Sequence, residues 1–387
     1  MVQDYWTPAM FSRWRPEKVY APASVNNMRS FMISLIKLAK TKKYSTIFPV
    51  YDTSLIPISE NRKKLTPYVK LALPRHESLM KTIDKSETLK LAQTIGIPIP
   101  KTFYTKNTSD VEDAATKIKY PAVIKPKRSW EFREKKTYFS HPFYANSASE
   151  LVSTYTEIEK AFPEAMIQEY IPGHNMQIGL IFDHGKPMAA CAIREHRTFP
   201  VTGGQSVLRE TVNLDPTILE YASNLLKSLN WHGIAEVEFR VDSRDLTPKL
   251  MEINPRFWGS MNVAIESGVD FPYLLYLLAK EKKINPIFKY RTGIKFRLLT
   301  QDIKNLQITL KNESKLAQTQ PVNKIKTILN FLKIYETNLH YDGLKVNDPL
   351  PFFMENTFSI YLKSRDWLKQ KVRPNKFTEK EKLFFKN

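Results

Sequence analysis

The chain has 387 residues, 42% of them hydrophobic and 25% charged, with 22 Phe, 18 Tyr and 6 Trp. That length and apolar content allow two or three compact lobes and exclude a chain disordered throughout. The single cysteine, Cys191, excludes an internal disulfide and a Cys-rich zinc cluster.

A formal charge of +20 is compatible with a nucleic-acid partner, an anionic membrane surface, phosphate-rich ligands, or simply Lys-favouring codons. The basic residues are spread along the chain without a recognition module, so no nucleic-acid partner is expected. They are densest from Lys363 to Asn387, with nine Lys/Arg against three acids. The polar start, Met1 to Trp6, does not resemble a signal peptide. The longest apolar patch, Phe271 to Ala279, is far short of the roughly 20 residues a membrane span needs. A cytoplasmic protein without a transmembrane span is the expectation.

The broad apolar face of Met28, Phe31, Met32, Leu35, Ile36 and Leu38 predicts a helix over Asn27 to Lys40. Ile47 to Val50 reads as a strand ending in the acidic turn at Asp52, and Leu71 to Pro74 as a second short strand. This alternation suggests parallel βαβ packing. No glycine-bearing first turn is visible, so residues 1–80 read as a truncated α/β lobe. Asp84 as N-cap, Glu87 three residues on, Gly96 and Pro98 bracket a helix. Tyr120 to Pro126 is β-rich and places Lys125 near a strand end. Residues 127–147 are basic and aromatic without periodicity and read as a mobile loop. A helix over Glu150 to Ala161 and a strand over Ala165 to Ile171 follow, ending at Pro172-Gly173. Gln177 to Val212 suggests two or three antiparallel strands, with turns at Asp183 to Lys186 and near Gly203-Gly204. Cys191, in the apolar run Met188 to Ile193, reads as core and not as a nucleophile. Further helices are expected over Pro216 to Leu229, Trp258 to Ser267, Phe271 to Lys280 and Asn323 to Tyr335.

The informative hairpin is Ile234 to Val241 with Lys249 to Asn254. Strand alternation puts Glu236, Glu238 and Arg240 on one face, and Leu250, Glu252 and Asn254 on one face of the partner. A loop centred on Asp245 sets Glu238 opposite Glu252 and Glu236 opposite Asn254. Opposed carboxylates destabilise a sheet, and a divalent cation with hard oxygen ligands reverses that sign. The apolar run Pro255 to Gly259 argues against an idle surface hairpin. Arg256 lies close enough to contact a transferring phosphoryl group. Lys125 alone would pass for a snorkelling edge-strand lysine. Beside the carboxylate hairpin, and with Lys85 at a helix start, phosphate binding explains both lysines better.

In order, Asp84-Lys85, Gly96 to Pro100, Val123-Ile-Lys-Pro126, Gln168-Glu-Tyr-Ile-Pro-Gly173, Glu238 and Glu252-Ile-Asn-Pro-Arg256 resemble the ATP-grasp superfamily over about residues 70–285. Tyr341 to Leu344 and Asp348 to Pro351 add a resemblance to its uncharacterised carboxylate–amine ligase branch, which is carbamoyl-phosphate-synthase-like. The resemblance implies an α/β and α+β protein. An incomplete Rossmann-like lobe (1–80) precedes an ATP-grasp domain of two α+β lobes (81–290, hinge near 170), and a basic, mostly helical extension (291–387) follows. It implies ATP and Mg²⁺, with Mn²⁺ as a substitute, and small carboxylate and amine substrates. Lys85 and Lys125 would bind phosphates. The Glu169 and Ile171 backbone would read adenine, with Gln168 beside its amino group and Tyr170 in the hinge. Glu238, Glu252 and Asn254 would ligate the metal, and Arg256 would contact the reacting phosphoryl group. No acidic residue matches the usual ribose contact. The family's glycine-rich lid is replaced by Lys127 to Arg133, where Lys127 and Arg128 side chains could substitute for backbone donors. Arg194, Arg197 and Gly204 fall where this branch lines the acceptor side, with a surface strand as the competing explanation. His196 reads as structural or solvent-facing. The implied activity is ATP-dependent carboxylate–amine ligation. Phosphorylation of bicarbonate or carbamate is the alternative enzyme reading, and a non-catalytic nucleotide-binding protein the alternative to an enzyme.

Overall fold

The computed structural model describes residues 8–14, 17, 19, 21, 22, 24, 27–133, 136–201, 203–311, 323–354 and 357. The sequence readings at Met1 to Trp6 and in the basic tail from Lys363 lie outside them.

Helix α1 (Met28–Lys40) starts where Asn27 accepts the Ser30 N–H at 2.9 Å and buries Phe31, Met32, Leu35 and Ala39. Next come α2 (Asp52–Glu60), α3 (Arg62–Leu65), α4 (His76–Ile83) and α5 (Lys85–Thr94). Asp84 caps α5 by accepting the N–H groups of Ser86 and Glu87, and Gly96 beyond its end has φ +76°. The strands expected at 47–50 and 71–74 do not form. Parallel pairing there is reduced to one bridge between Thr46 and Lys70. Pro49 and Pro74 lack the N–H a ladder needs, and α2 begins two residues past Val50.

A small lobe follows: β1 (Thr102–Tyr104), α6 (Thr108–Lys117), β2 (Ala122–Pro126), β5 (Phe143–Ala145), α7 (Ala148–Ile158) and β6 (Ala165–Glu169). Its antiparallel sheet has the order β1-β6-β2-β5. Val111, Ile124, Leu151, Tyr155, Ile158 and Ile167 form a separate core under it. The segment expected to be a mobile loop instead contains a hairpin, β3 (Trp130–Arg133) with β4 (Lys136–Phe139), and then β5. Its aromatic and β-branched residues have no helical period, but Trp130 pairs with Phe139 and Phe132 with Thr137 across the ladder.

The large sheet runs β11-β10-β7-β8-β9-β12-β13. It is built from β7 (Gly173–Asp183), β8 (Lys186–Phe199), β9 (Gln205–Val212), β10 (Gly233–Asp242), β11 (Pro248–Asn254), β12 (Lys295–Arg297) and β13 (Leu339–Tyr341). Helix α8 (Pro216–Ser228) is capped by Asp215 and joins α1, α2, α4 and α5 on one face, around Ile178, Leu180, Val237 and Phe239. Helices α9 (Met261–Ser267) and α10 (Phe271–Ala279) cover the other face, around Cys191, Ile193 and Trp258. Helices α11 (Leu299–Lys311) and α12 (Lys324–Phe331) lie in the C-terminal segment. That segment also adds β12 and β13 to the sheet edge, which a mostly helical extension did not anticipate. Among the described residues no helix is long and apolar enough to cross a membrane.

Candidate nucleotide and metal site

The β10–β11 register sets Glu236 against Asn254 and Glu238 against Glu252, the pairing expected, although nearer the loop the ladder (Val241 against Pro248) is one residue off a loop centred on Asp245. A bulge between Glu238 and Phe239 then puts Leu250 opposite Phe239, in the apolar core and off the carboxylate face. After β11 the chain folds back over that face. Trp258 lies so close to Gly179, the β7 partner of Glu236, that a Cβ there would sit 2.4 Å from its ring. This apolar cover buries Glu236 and leaves Glu238 and Glu252 half-buried.

The electrostatic consequences are large. Burial, with the opposing pull of Arg256, leaves the Glu236 carboxyl raised to about 8. Burial and the neighbouring Glu252 push Glu238 well above the usual carboxylate range. Burial also acts on Glu252, but Lys85 and Lys125 outweigh it and hold that carboxyl at about 2. Its Oε2 lies 3.1 Å from Lys85 Nζ and 3.9 Å from Lys125 Nζ. Burial lowers the Lys125 ammonium, which Lys85 lowers further and Glu252 supports. The Asn254 amide donates to Glu238 at 2.9 Å, Glu236 at 3.1 Å and Glu252 at 3.4 Å. Glu236 Oε1 is buried without a hydrogen-bond partner. Three crowded carboxylates, one with an orphaned oxygen, and an amide are a hard oxygen donor set, which fits Mg²⁺.

Arg256 Nε contacts Asp52 Oδ1 at 3.1 Å, Nη1 donates to Phe257 O at 3.0 Å, and Nη2 donates to Asn254 Oδ1 at 3.3 Å. Its guanidinium is therefore fixed beside the carboxylates. Asp52, Lys85, Ser129, Trp130, Glu252 and Asn254 line one narrow cleft. The hairpin base reaches it: Lys85 Nζ is 3.3 Å from Ser129 Oγ, and the Lys85 N–H donates to Lys127 O at 2.8 Å. The Lys127 side chain pairs with Glu164 at 2.5 Å.

At the hinge, the Gln168 amide donates to Thr102 Oγ1 at 3.0 Å and is almost fully buried. The Glu169 N–H donates to Lys101 O at 3.0 Å. Its carboxylate accepts from the Lys101 N–H at 2.9 Å and from Lys249 at 3.0 Å, tying the small lobe to β11. Ile171 O accepts from Arg240 Nε at 2.6 Å, and the Arg240 guanidinium lies 5.6 Å from the Tyr170 ring centroid.

The acceptor-side residues are not brought together with this site. Ladder partners share a face, so Glu238, Gln177, Ile193 and Thr211 lie on one side of the sheet. Phe239, Met176, Arg194 and Glu210 lie on the other. Arg194 is thus on the opposite face. Arg197 is engaged by fully buried Asp302 through two contacts of 2.7 Å. Gly204 packs against its own turn, where a Cβ would lie 2.5 Å from Phe199 O. His196 contacts Glu210 at 2.7 Å.

The residue between them belongs to the site face instead. Glu195 is buried and accepts from Gln177 and Asn175, each at 2.7 Å. Burial raises its carboxyl, while Asn175, Arg209 and Arg240 oppose the rise. Strand alternation from Cys191 and Ile193 would have pointed to it. Nothing local points to Asp52, whose partner is 204 residues away.

Two α+β lobes joined at 169–173, with a carboxylate hairpin flanked by two lysines, have the ATP-grasp fold. Residues 161–301 match the family model described as "ATP-grasp in the biosynthetic pathway with Ter operon". The carbamoyl phosphate synthase large chain of Thermoanaerobacter sp. (strain X514) is 27% identical over 243 residues, covering 58% of this chain and 21% of that protein. The biotin carboxylase–β-γ-ATP complex from Campylobacter jejuni superposes with a TM-score of 0.56 at 20% identity, covering 68% of this chain and 60% of that one. For the L-amino acid ligase from Bacillus licheniformis the TM-score is 0.54 at 16% identity, with 69% and 66% covered. The chain spans about a fifth of the length of the curated relatives it matches.

Proposed function

We propose that the chain is an ATP- and Mg²⁺-dependent ligase that activates a carboxylate as an acyl phosphate for attack by an amine. The observation that carries this is the directly opposed, half-buried pair Glu238–Glu252 with Lys85 and Lys125 beside it. Glu238, Glu252 and Asn254 would hold the metal, which when bound neutralises phosphate charge. Manganese is a plausible substitute, having the same oxygen-ligand chemistry. Lys85 and Lys125 would grip phosphate oxygens, while the backbone of Glu169 and Ile171, with Gln168 and Tyr170, would seat the adenine.

The substrate carboxylate attacks the γ-phosphorus and ADP leaves; the amine then attacks the acyl carbon and phosphate leaves. Neither displacement needs a protein nucleophile. The one cysteine fits that role poorly, because burial pushes its thiol up to about 12. Positioning and charge stabilisation carry such chemistry. Arg256, fixed by Asp52 and the Phe257 carbonyl, is a pre-set donor for the transferring group. Residues 81–290 would form the ATP-grasp unit, with 1–80 and 291–387 flanking it.

The similarity to carbamoyl phosphate synthase favours bicarbonate or carbamate as a second candidate acceptor. A phosphate-release screen of Mg-ATP with carboxylate and amine pools, bicarbonate included, separates these readings. Release should require one acid and one amine, and Glu252→Ala should abolish it. Nucleotide binding without turnover across all pools would leave a non-catalytic binding protein.

A further inference from the structure

A second group of ligating side chains converges away from the carboxylate site. Asp183 and His184 sit in the β7–β8 turn, and His232 immediately precedes β10. Asp183 Oδ1 is 3.3 Å from His232 Nδ1 and 4.0 Å from His184 Nε2, and all three donor atoms lie within 4.8 Å of one another. The imidazoles stack with centroids 4.1 Å apart and planes 19° from parallel.

The main chain holds this arrangement. His184 (φ +43°) and Gly185 (φ +81°) form a two-residue turn with both residues left-handed. The Gly185 N–H donates to Trp231 O at 2.7 Å, tying the turn to the residue before His232. His232 Nδ1 is buried and has no hydrogen-bond partner.

We propose that Asp183, His184 and His232 form a binding site for a borderline divalent transition-metal ion of the Zn²⁺ class. Two imidazole nitrogens and one carboxylate oxygen suit such an ion, whereas Mg²⁺ and Ca²⁺ take oxygen sets. Metal–ligand bonds of about 2.0–2.1 Å need donors about 3.3 Å apart in a tetrahedral site. One distance already matches, and exposed His184 reaches the ion by unstacking from His232 and turning its ring toward Asp183. The ion would pin the β7–β8 turn to the α8–β10 connection, at the end of β7 roughly 30 Å from the hinge. Three protein donors leave a coordination position open toward a cleft of about 760 Å³ lined in part by Lys70, Lys186 and Lys283.

The test is titration of the full chain with ZnCl₂ by calorimetry, and with CoCl₂ by visible absorption, which reports nitrogen ligation directly. In Glu252→Gln, which disables the carboxylate site that these ions would also occupy, one nitrogen-ligated ion per chain is expected. Adding His184→Ala or His232→Ala to that background should weaken it at least tenfold. The His184 side chain is 74% exposed, so its removal leaves the fold intact. Retained Mg-nucleotide binding by His184→Ala separates this site from the nucleotide site. Absence of a bound ion, or an ion indifferent to both histidine substitutions, overturns the proposal.

Discussion

Glu238→Gln should make the ligand-free protein more stable while removing its metal-dependent nucleotide uptake. Gln keeps the size of the side chain and can still accept from the Asn254 amide, which lies 2.9 Å from Glu238 Oε1. What changes is the charge facing Glu252. Side chains directly opposite on a ladder are about 5 Å apart, so at an effective dielectric of about 20 the two charges repel by about 3 kcal/mol. Because the folded-state pKa of Glu238 is raised, the folded protein binds the extra proton and wild-type stability falls as pH climbs above about 4.5. The variant does not share that fall. The stability difference should therefore be near zero at pH 4.5 and approach about 3 kcal/mol in favour of the variant at pH 8. Urea unfolding at several pH values, with and without Mg-ADP, measures both effects. A variant less stable than wild type at pH 8 without ligand, or one still stabilised by Mg-ADP as the wild type is, would refute the reasoning.

Arg256→Lys keeps the charge but loses the planar fork that spans Asp52, Asn254 and the Phe257 carbonyl. Turnover in a phosphate-release assay should fall by roughly 10²–10³, with nucleotide affinity nearly unchanged. Lys125→Met should weaken ATP at least tenfold by calorimetry, because it removes a buried phosphate partner and leaves Glu252 with Lys85 alone. Arg197→Ala should cost about 2 kcal/mol in urea unfolding, because it strips one of two arginine partners from buried Asp302, which keeps Arg297, and leave KM for both substrates unchanged. A KM shift without loss of stability would instead support an acceptor-side role for Arg197. Apparent Mg²⁺ affinity should rise as pH increases toward about 8, since Glu236 and Glu238 carry protons that the metal must displace.

Local rules were enough to read much of this molecule. The cap at Asp84, the end of β2 at Pro126 and the facing of Glu236 and Glu238 follow from side-chain chemistry within a few residues. Two-residue alternation put the right residues of the hairpin on one face, but the ladder next to the loop is one residue off the expected spacing, and the bulge after Glu238 restores the pairing with Glu252. Other features depend on contacts that spacing does not encode. The bulge that sends Leu250 to the core, the pairing of Trp130 with Phe139, and the lone bridge at Thr46 were settled by packing and by missing proline donors. Arg194 and Arg197 had the right residue type for an acceptor site, but the structure puts Arg194 on the sheet face away from Glu238 and Arg197 against Asp302, while Glu195 between them turns inward. Asp52 reaches Arg256 only because α2 is folded against the β11 end of the sheet, a juxtaposition set by the shared core of the large lobe and by no motif.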